Sequence, residues 1–200
     1  LAQTQTDPRP IEQKEGFDNG KEGRVTVISA ATDTVLTTIA LAPKATGFKS
    51  DGSTLDKVVF DAANAATKID TLAFPNQLES IVIRGNRAYV PNTASSPNGP
   101  VKFNVNVQGF LSVIDITTDQ EVADETFNMN SGVQLEAVGK KLFITNPSAM
   151  AFKSGNDFDG FVLSRATDRL VRVVLDANGK PTINAPKVAN DPGNIVRIEV

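Results

Sequence analysis

The sequence predicts an all-β fold: a β-propeller of four-stranded antiparallel blades, with about three blades visible and long loop insertions between strands. Three observations carry that expectation. Residues 78–122 hold four strand-like segments joined by short turns, which is the pattern of one blade. The stretches VISAATDTVL (27–36) and VIDITTDQEV (113–122) both read V-I, three residues, T-D, with strand-like flanks. Residues 135–138 (LEAV) and 142–146 (LFITN) then repeat the order of 78–81 (LESI) and 88–92 (AYVPN).

The elements follow in chain order. Residues 1–22 are polar, carry Pro8, Pro10, Gly16 and Gly20, and show no periodicity; they read as an irregular N-terminal arm ahead of a domain over 23–200. Residues 25–28 form a strand, 31–33 a turn and 35–41 a second strand. The segment 42–77 reads as an insertion. Within it, 44–53 is loop-like, 57–60 and 69–74 are short strand candidates, and the alanine-rich 62–66 suits a helical turn. Val27 and Val113 are 86 residues apart, against roughly 40–45 for one blade, so an insertion or a divergent blade is required.

In the central stretch, Ile81-Val82-Ile83 stops at Arg84-Gly85-Asn86, where Gly and Asn tolerate the positive φ of a tight hairpin turn. Ala88-Tyr89-Val90 follows. The odd positions Val101, Phe103, Val105, Val107, Gly109, Leu111 and Val113 then alternate as a strand with one buried face does. Residues 117–119 turn the chain, and Glu121-Val122 open the fourth strand. Beyond the second LEAV-like stretch, 147–160 reads as a long polar loop. Residues 161–164 and 170–175 are strands, with a turn at 177–179, and 195–200 is the last strand.

Composition supports a sizeable core and removes several kinds of chemistry. Of the 200 residues, 40% are hydrophobic and 22% charged, and the net charge is −3. A nucleic-acid binder would show a basic footprint. A membrane-spanning helix would need an apolar run of about 18 residues or more, and none is present. With no cysteine, disulfides, Cys-ligated metal and covalent c-type haem attachment are excluded; with no histidine, the commonest general base is missing. No P-loop, G-x-G-x-x-G or G-x-S-x-G motif occurs.

Tyr89-Val90-Pro91-Asn92 and Phe143-Ile144-Thr145-Asn146 resemble the Y-V-T-N signature, and Ser112-Val113-Ile114-Asp115 resembles the V-S-V-I-D strand that follows it. Over 23–41 and 78–175 the chain is therefore similar to the YVTN-repeat β-propellers of surface-layer and periplasmic proteins. Pro91 departs from the signature threonine, and the loops at 93–109 and 147–160 exceed what the repeat needs. The resemblance implies blades that line a central channel with their first strands, and a periplasmic or extracellular location, with which the start Leu1-Ala2-Gln3 is compatible. Such propellers usually close seven blades, so the expected partners are the remaining blades of the same polypeptide or another subunit, together with a redox partner. Neither nucleic acid nor a membrane span is expected.

Two places could carry chemistry. Glu79 and Glu136 start matching strands, so both are candidates to line the channel, where two carboxylates bind a cation or act as acid and base; matching residues in a repeat also serve matching structural roles. In 154–160, Asn156, Asp157 and Asp159 supply oxygens and Gly160 a turn, as a calcium loop requires, although the spacing and downstream glutamate of an EF-hand are missing; a polar surface loop has the same composition. No cofactor is expected within the chain itself apart from calcium, and haem or quinone would come only through a partner or further chain. The expected function is an exported propeller scaffold or binding module, non-catalytic alone and part of a larger redox or surface assembly. The alternative is the propeller portion of an enzyme, lactonase-like or a haem- or quinone-linked oxidoreductase, whose site is completed elsewhere.

Overall fold

The computed structural model describes residues 23–49, 70–96, 106–133, 136, 139, 141–155, 158–183 and 195–200. These form a mostly antiparallel β structure in three layers. The first layer is a hairpin of β1 (Arg24–Ser29) and β2 (Thr34–Ala40). The second contains β3 (Lys44–Lys49), β4 (Asp70–Leu78), β5 (Val82–Arg84), β6 (Arg87–Ser95), β7 (Val107–Asp115), β8 (Gln120–Glu121) and β9 (Phe127–Asn128), in the order β3-β4-β6-β7-β8, with β5 also on β6 and β9 also on β7. One helical turn, α1 (Asn130–Val133), leads to the third layer. That layer orders β10 (Pro147–Phe152), β11 (Asp159–Ser164), β12 (Arg169–Leu175) and β13 (Pro181–Thr182), with β14 (Arg197–Glu199) also on β12.

The ribbon of β6 and β7 is the centre of the stack. Its register runs from Arg87↔Asp115 to Ser95↔Val107 without a break. Alternate side chains leave its two faces. Ala88, Val90 and Ile114 pack on Ile39 and Leu41, with Val25 and Val27 of the hairpin against them. Tyr89, Leu111 and Val113 pack on Met150, Val162, Val171 and Val173 of the third layer. The single buried face expected for this strand is therefore corrected: both faces are covered, so the alternation sorts residues between two cores instead of between core and water. Burying each large apolar side chain there contributes about 1.5–3 kcal/mol. Residues 101–105, where the expected strand began, lie outside the described residues.

The four-strand meander read from 78–122 is present as β5, β6, β7 and β8. In the segment read as an insertion, 42–77, the described part joins the central sheet, which β3 and β4 extend. Residues 44–49 are a strand where a loop was expected. Gly47, at φ 84°, interrupts the β3–β4 register, and threonine hydroxyls restore the lost ladder. Thr46 Oγ1 lies 2.6 Å from Thr71 Oγ1 and accepts the Phe48 amide at 3.0 Å, while Thr71 donates to Phe48 O at 3.0 Å. The strand expected over 69–74 is found as β4, with Pro75 at a register shift where the missing amide costs least. The candidates at 57–60 and 62–66 lie outside the described residues.

Two further expectations are corrected after the ribbon. Part of the loop expected over 147–160 is β10, in which Met150 points into the core while Ala149 and Ala151 are exposed. Conversely, 142–146 is no strand. Its backbone is held by side chains: Asn130 Oδ1 accepts the Ile144 amide at 2.8 Å, Asn130 Nδ2 donates to Ile144 O at 3.1 Å, and Ser164 Oγ bonds both Thr145 N and Thr145 O at 3.0 Å. Close approach leaves no space beside it, since a Cβ on Gly109 would stand 2.8 Å from Ile144 O.

The paired T-D turns are borne out by backbone geometry, and a third copy appears in VLSRATDRLV (162–171). Asp33, Asp119 and Asp168 each end their turn in the left-handed region, at φ 52°, 53° and 49°. Aspartate tolerates this conformation better than β-branched residues do. Asp119→Val is expected to cost about 1–2 kcal/mol in urea denaturation, and Asp119→Gly to change stability by less than about 1 kcal/mol. Equal effects of the two substitutions would remove the conformational reason for aspartate here. The copies differ in facing: Val27 turns toward the second layer and Val113 toward the third, but Val162 turns back toward the second.

Candidate functional site

Turns from the second and third layers meet around a cleft of about 1110 Å³, lined among others by Arg84, Arg87, Tyr89, Glu125, Phe158 and Asp176. The hairpin turn at Gly85 (φ 57°) brings Arg84 and Arg87 to its floor. Across the ribbon, Arg87 is paired in register with Asp115. Its guanidinium donates to both oxygens of Glu125, from Nε at 2.8 Å and from Nη2 at 3.1 Å, and from Nη1 to Asp115 Oδ2 at 2.6 Å. This forked geometry is what a planar guanidinium provides and an ammonium does not.

The opposite wall is the turn after β12. Asp176 Oδ1 accepts the amides of Asn178 and Lys180 at 2.8 and 2.9 Å, and Gly179 sits at φ 88°. Tyr89 crosses from the ribbon to donate to Gly179 O at 2.6 Å, with its ring edge-on to Phe152 at 5.3 Å. The third wall is the loop after β10. Arg84 stacks over Phe152 at 5.1 Å and donates to Lys153 O at 3.1 Å and Gly155 O at 2.8 Å.

Protonation equilibria are displaced at this cleft. The Glu125 hydrogen bonds push the Arg87 guanidinium well above its ordinary value, with the charges of Glu125 and Asp115 adding to them. Hydrogen bonds from Thr117 hold Asp115 below the ordinary carboxylate range, and Arg87 reinforces them. The Lys180 and Asn178 amides do the same for Asp176. Burial, and then the Glu125 charge, push the Tyr89 phenol up to about 12. Such clustering is typical of functional sites, and structural ion networks produce it too.

Tyr89 is the chain's only tyrosine and there is no tryptophan, so phenolate absorbance reports it alone. We expect it to ionise near 12 in the native protein and near 10 in urea. A raised folded pKa stabilises the fold fully below the unfolded value, near pH 10, and the contribution is lost as pH rises through about 12. Native titration near 10 would show that the phenol is not buried against Gly179.

The structure does not bring Glu79 and Glu136 into one interaction; each has an arginine of its own. Glu79 Oε2 is 3.6 Å from Arg165 Nη1 at the exposed surface. Glu136 receives Arg197 at 2.5 and 3.2 Å and the Leu142 amide at 3.1 Å. Of the calcium-loop candidates, Asn156 and Asp157 lie outside the described residues, while Asp159 is buried at the head of β11. One carbonyl of that loop, Gly155 O, which a cation would want, already accepts from the Arg84 guanidinium, as does Lys153 O just before it. Among the described residues no cluster of three or more carboxylates could hold a metal ion, and no helix is long and apolar enough to cross a membrane.

Sequence reasoning missed Arg87 and Glu125; it singled out Asp176-Ala177-Asn178-Gly179 only as a hairpin turn and a weaker calcium candidate than 154–160, and the turn is found, with Asp176 Oδ1 taken by the Asn178 and Lys180 amides. A signal existed for Arg87 alone, since a charged residue directly after a Gly-Asn turn faces its cross-strand neighbour. Glu125 lies 38 positions away with no pattern linking the two. Comparison with protein families, curated proteins and solved structures finds no match for this chain.

Proposed function

We propose that the chain is an exported scaffold or binding module of propeller type, non-catalytic by itself, that works as part of a larger assembly in the periplasm or outside the cell. The observation that carries this reading is the outer face of the first layer, where Ile28, Val35 and Leu36 are 60%, 63% and 63% exposed. Ile28 is the counterpart of Ile114, which is buried beneath the hairpin. A repeat that is covered in one copy and bare in the next calls for a further β layer, from the same polypeptide or from another subunit. The meander β5–β8 supports blades as the unit. Val27 and Val113 face forward as successive blades would, whereas Val162 faces back, so the propeller reading rests on the first two layers. The turn cleft gives the module a place to hold a small ligand, with its polar groups already oriented by one another.

Sedimentation of the purified chain tests the scaffold reading. The wild type is expected to self-associate or to bind a hydrophobic dye, and the double variant Ile28→Lys, Leu36→Lys to do neither. A wild type that sediments as a monomer, ignores the dye and melts cooperatively would show that the bare face needs no cover, and the reading would fall.

A further inference from the structure

Among the described residues Asn178 is the asparagine that a glycine follows; the pairs at 19–20 and 98–99 lie outside them. An Asn-Gly link is prone to lose ammonia. With no Cβ on the second residue, nothing shields its amide nitrogen from the side-chain carbonyl of the first. The pair sits in the turn after β12, where Asn178 is exposed and Gly179 half-buried. The turn cannot exchange its glycine for a safer residue. Gly179 stands at φ 88°, and a Cβ there would lie 3.0 Å from the Tyr89 hydroxyl.

The link is held from several sides. The Gly179 amide donates to Asp176 O at 3.1 Å, and the Asp176 amide donates to Lys180 O at 3.0 Å. Asp176 Oδ1 takes the two neighbouring amides, of Asn178 and Lys180. Tyr89, from the second layer, donates to Gly179 O at 2.6 Å.

We propose that Asn178 is a deamidation site and that Tyr89, through Gly179, sets its rate. In the reaction a base takes the Gly179 amide proton and the nitrogen attacks Asn178 Cγ. A C–N bond forms, and the Cγ–Nδ2 bond breaks with loss of ammonia. Water then opens the five-membered imide at one of its two carbonyls, leaving aspartate or isoaspartate. The attack needs the Gly179 N–H released from Asp176 O and the nitrogen turned onto Asn178 Cγ. That displaces Gly179, whose carbonyl the Tyr89 hydroxyl holds and whose α-carbon lies against the same hydroxyl. Isoaspartate adds a methylene to the main chain inside the hydrogen-bonded turn. The bond between Asp176 N and Lys180 O is then out of register, Tyr89 loses its acceptor, and the cleft wall is released irreversibly.

The test incubates the 200-residue chain in mildly alkaline buffer, folded and unfolded in urea, and follows the tryptic peptide 173–187, in which fragmentation locates the change at Asn178. Conversion to the acid in the folded chain should run about tenfold slower or more than in urea, because it waits on local opening. Tyr89→Phe keeps the ring and removes the hydroxyl. It should raise the folded-state rate about fivefold, the factor that one net hydrogen bond carries. Asp176→Ala, which frees the Asn178 and Lys180 amides, is the second variant should Tyr89→Phe melt early. Leu111→Ala lowers global stability without touching the turn and should leave the rate unchanged. Equal rates folded and unfolded, no conversion in either, a rate indifferent to both turn variants, or Leu111→Ala as fast as Tyr89→Phe would each overturn the proposal.

Discussion

Leu111→Ala is expected to lower the free energy of unfolding by about 2–5 kcal/mol, the largest single effect of any substitution considered for this chain. Leu111 is fully buried on the face of β7 that meets the third layer, among Tyr89, Val113, Met129 and Val162. The strands around it are fixed by hydrogen bonds on both sides, so the space left by the side chain cannot close, and the cavity adds to the lost transfer energy. Urea denaturation followed by the fluorescence of Tyr89 measures it, in a chain without tryptophan. Ile28→Ala, at an exposed position, is expected to stay within about 0.5 kcal/mol. Equal costs at the two positions would mean that the second and third layers are not packed together.

Arg87→Ala is expected to cost about 1–3 kcal/mol, since hydrogen bonds to charged groups contribute at that level and the carboxylates of Glu125 and Asp115 are left unanswered. The figure sits below that for a fully buried pair because both acids keep some contact with water. Its signature is electrostatic. Glu125 raises the Tyr89 pKa and Arg87 lowers it, so Arg87→Ala should move the phenol further up while Glu125→Gln should move it down. Movement in the same direction for both would show that the ion cluster does not reach Tyr89. The acid side has its own sign. Asp115 is depressed, so its contribution is present above its unfolded value of 3.8 and is lost as pH falls through the lower folded value.

Strands with strong alternation or a following turn were legible in the sequence: β1, β2, β5, β7, β8, β11 and β12 fall where periodicity and Gly, Asn or Asp turns place them, whereas β6 runs on through Pro91 to Ser95, into residues read as loop. What was illegible has a common cause. β3 depends on threonine hydroxyls at Thr46 and Thr71, and residues 142–146 depend on Asn130 and Ser164. In both, side chains decide whether a backbone pairs, and periodicity does not see them. The third T-D turn was visible in principle, but Arg165 and Ala166 hide its likeness to the other two. The cleft was not legible at all, because Arg87, Glu125 and Asp176 come from separate turns that only the packing of two layers brings together.

The β6–β7 ribbon also bears on how the chain reaches its fold. Among the described residues it is the unit that places buried side chains in both cores, so neither core can condense before its two strands have met. Meeting requires closing the segment between Ser95 and Val107, a modest entropic barrier. The hairpin β1–β2, by contrast, docks onto a surface that the ribbon must already present. Kinetics should divide accordingly: Val90→Ala and Leu111→Ala should slow refolding, whereas Val25→Ala and Ile39→Ala should chiefly hasten unfolding. Stopped-flow chevrons of these variants would then trace the same order, ribbon first and hairpin after, that the layers show in space.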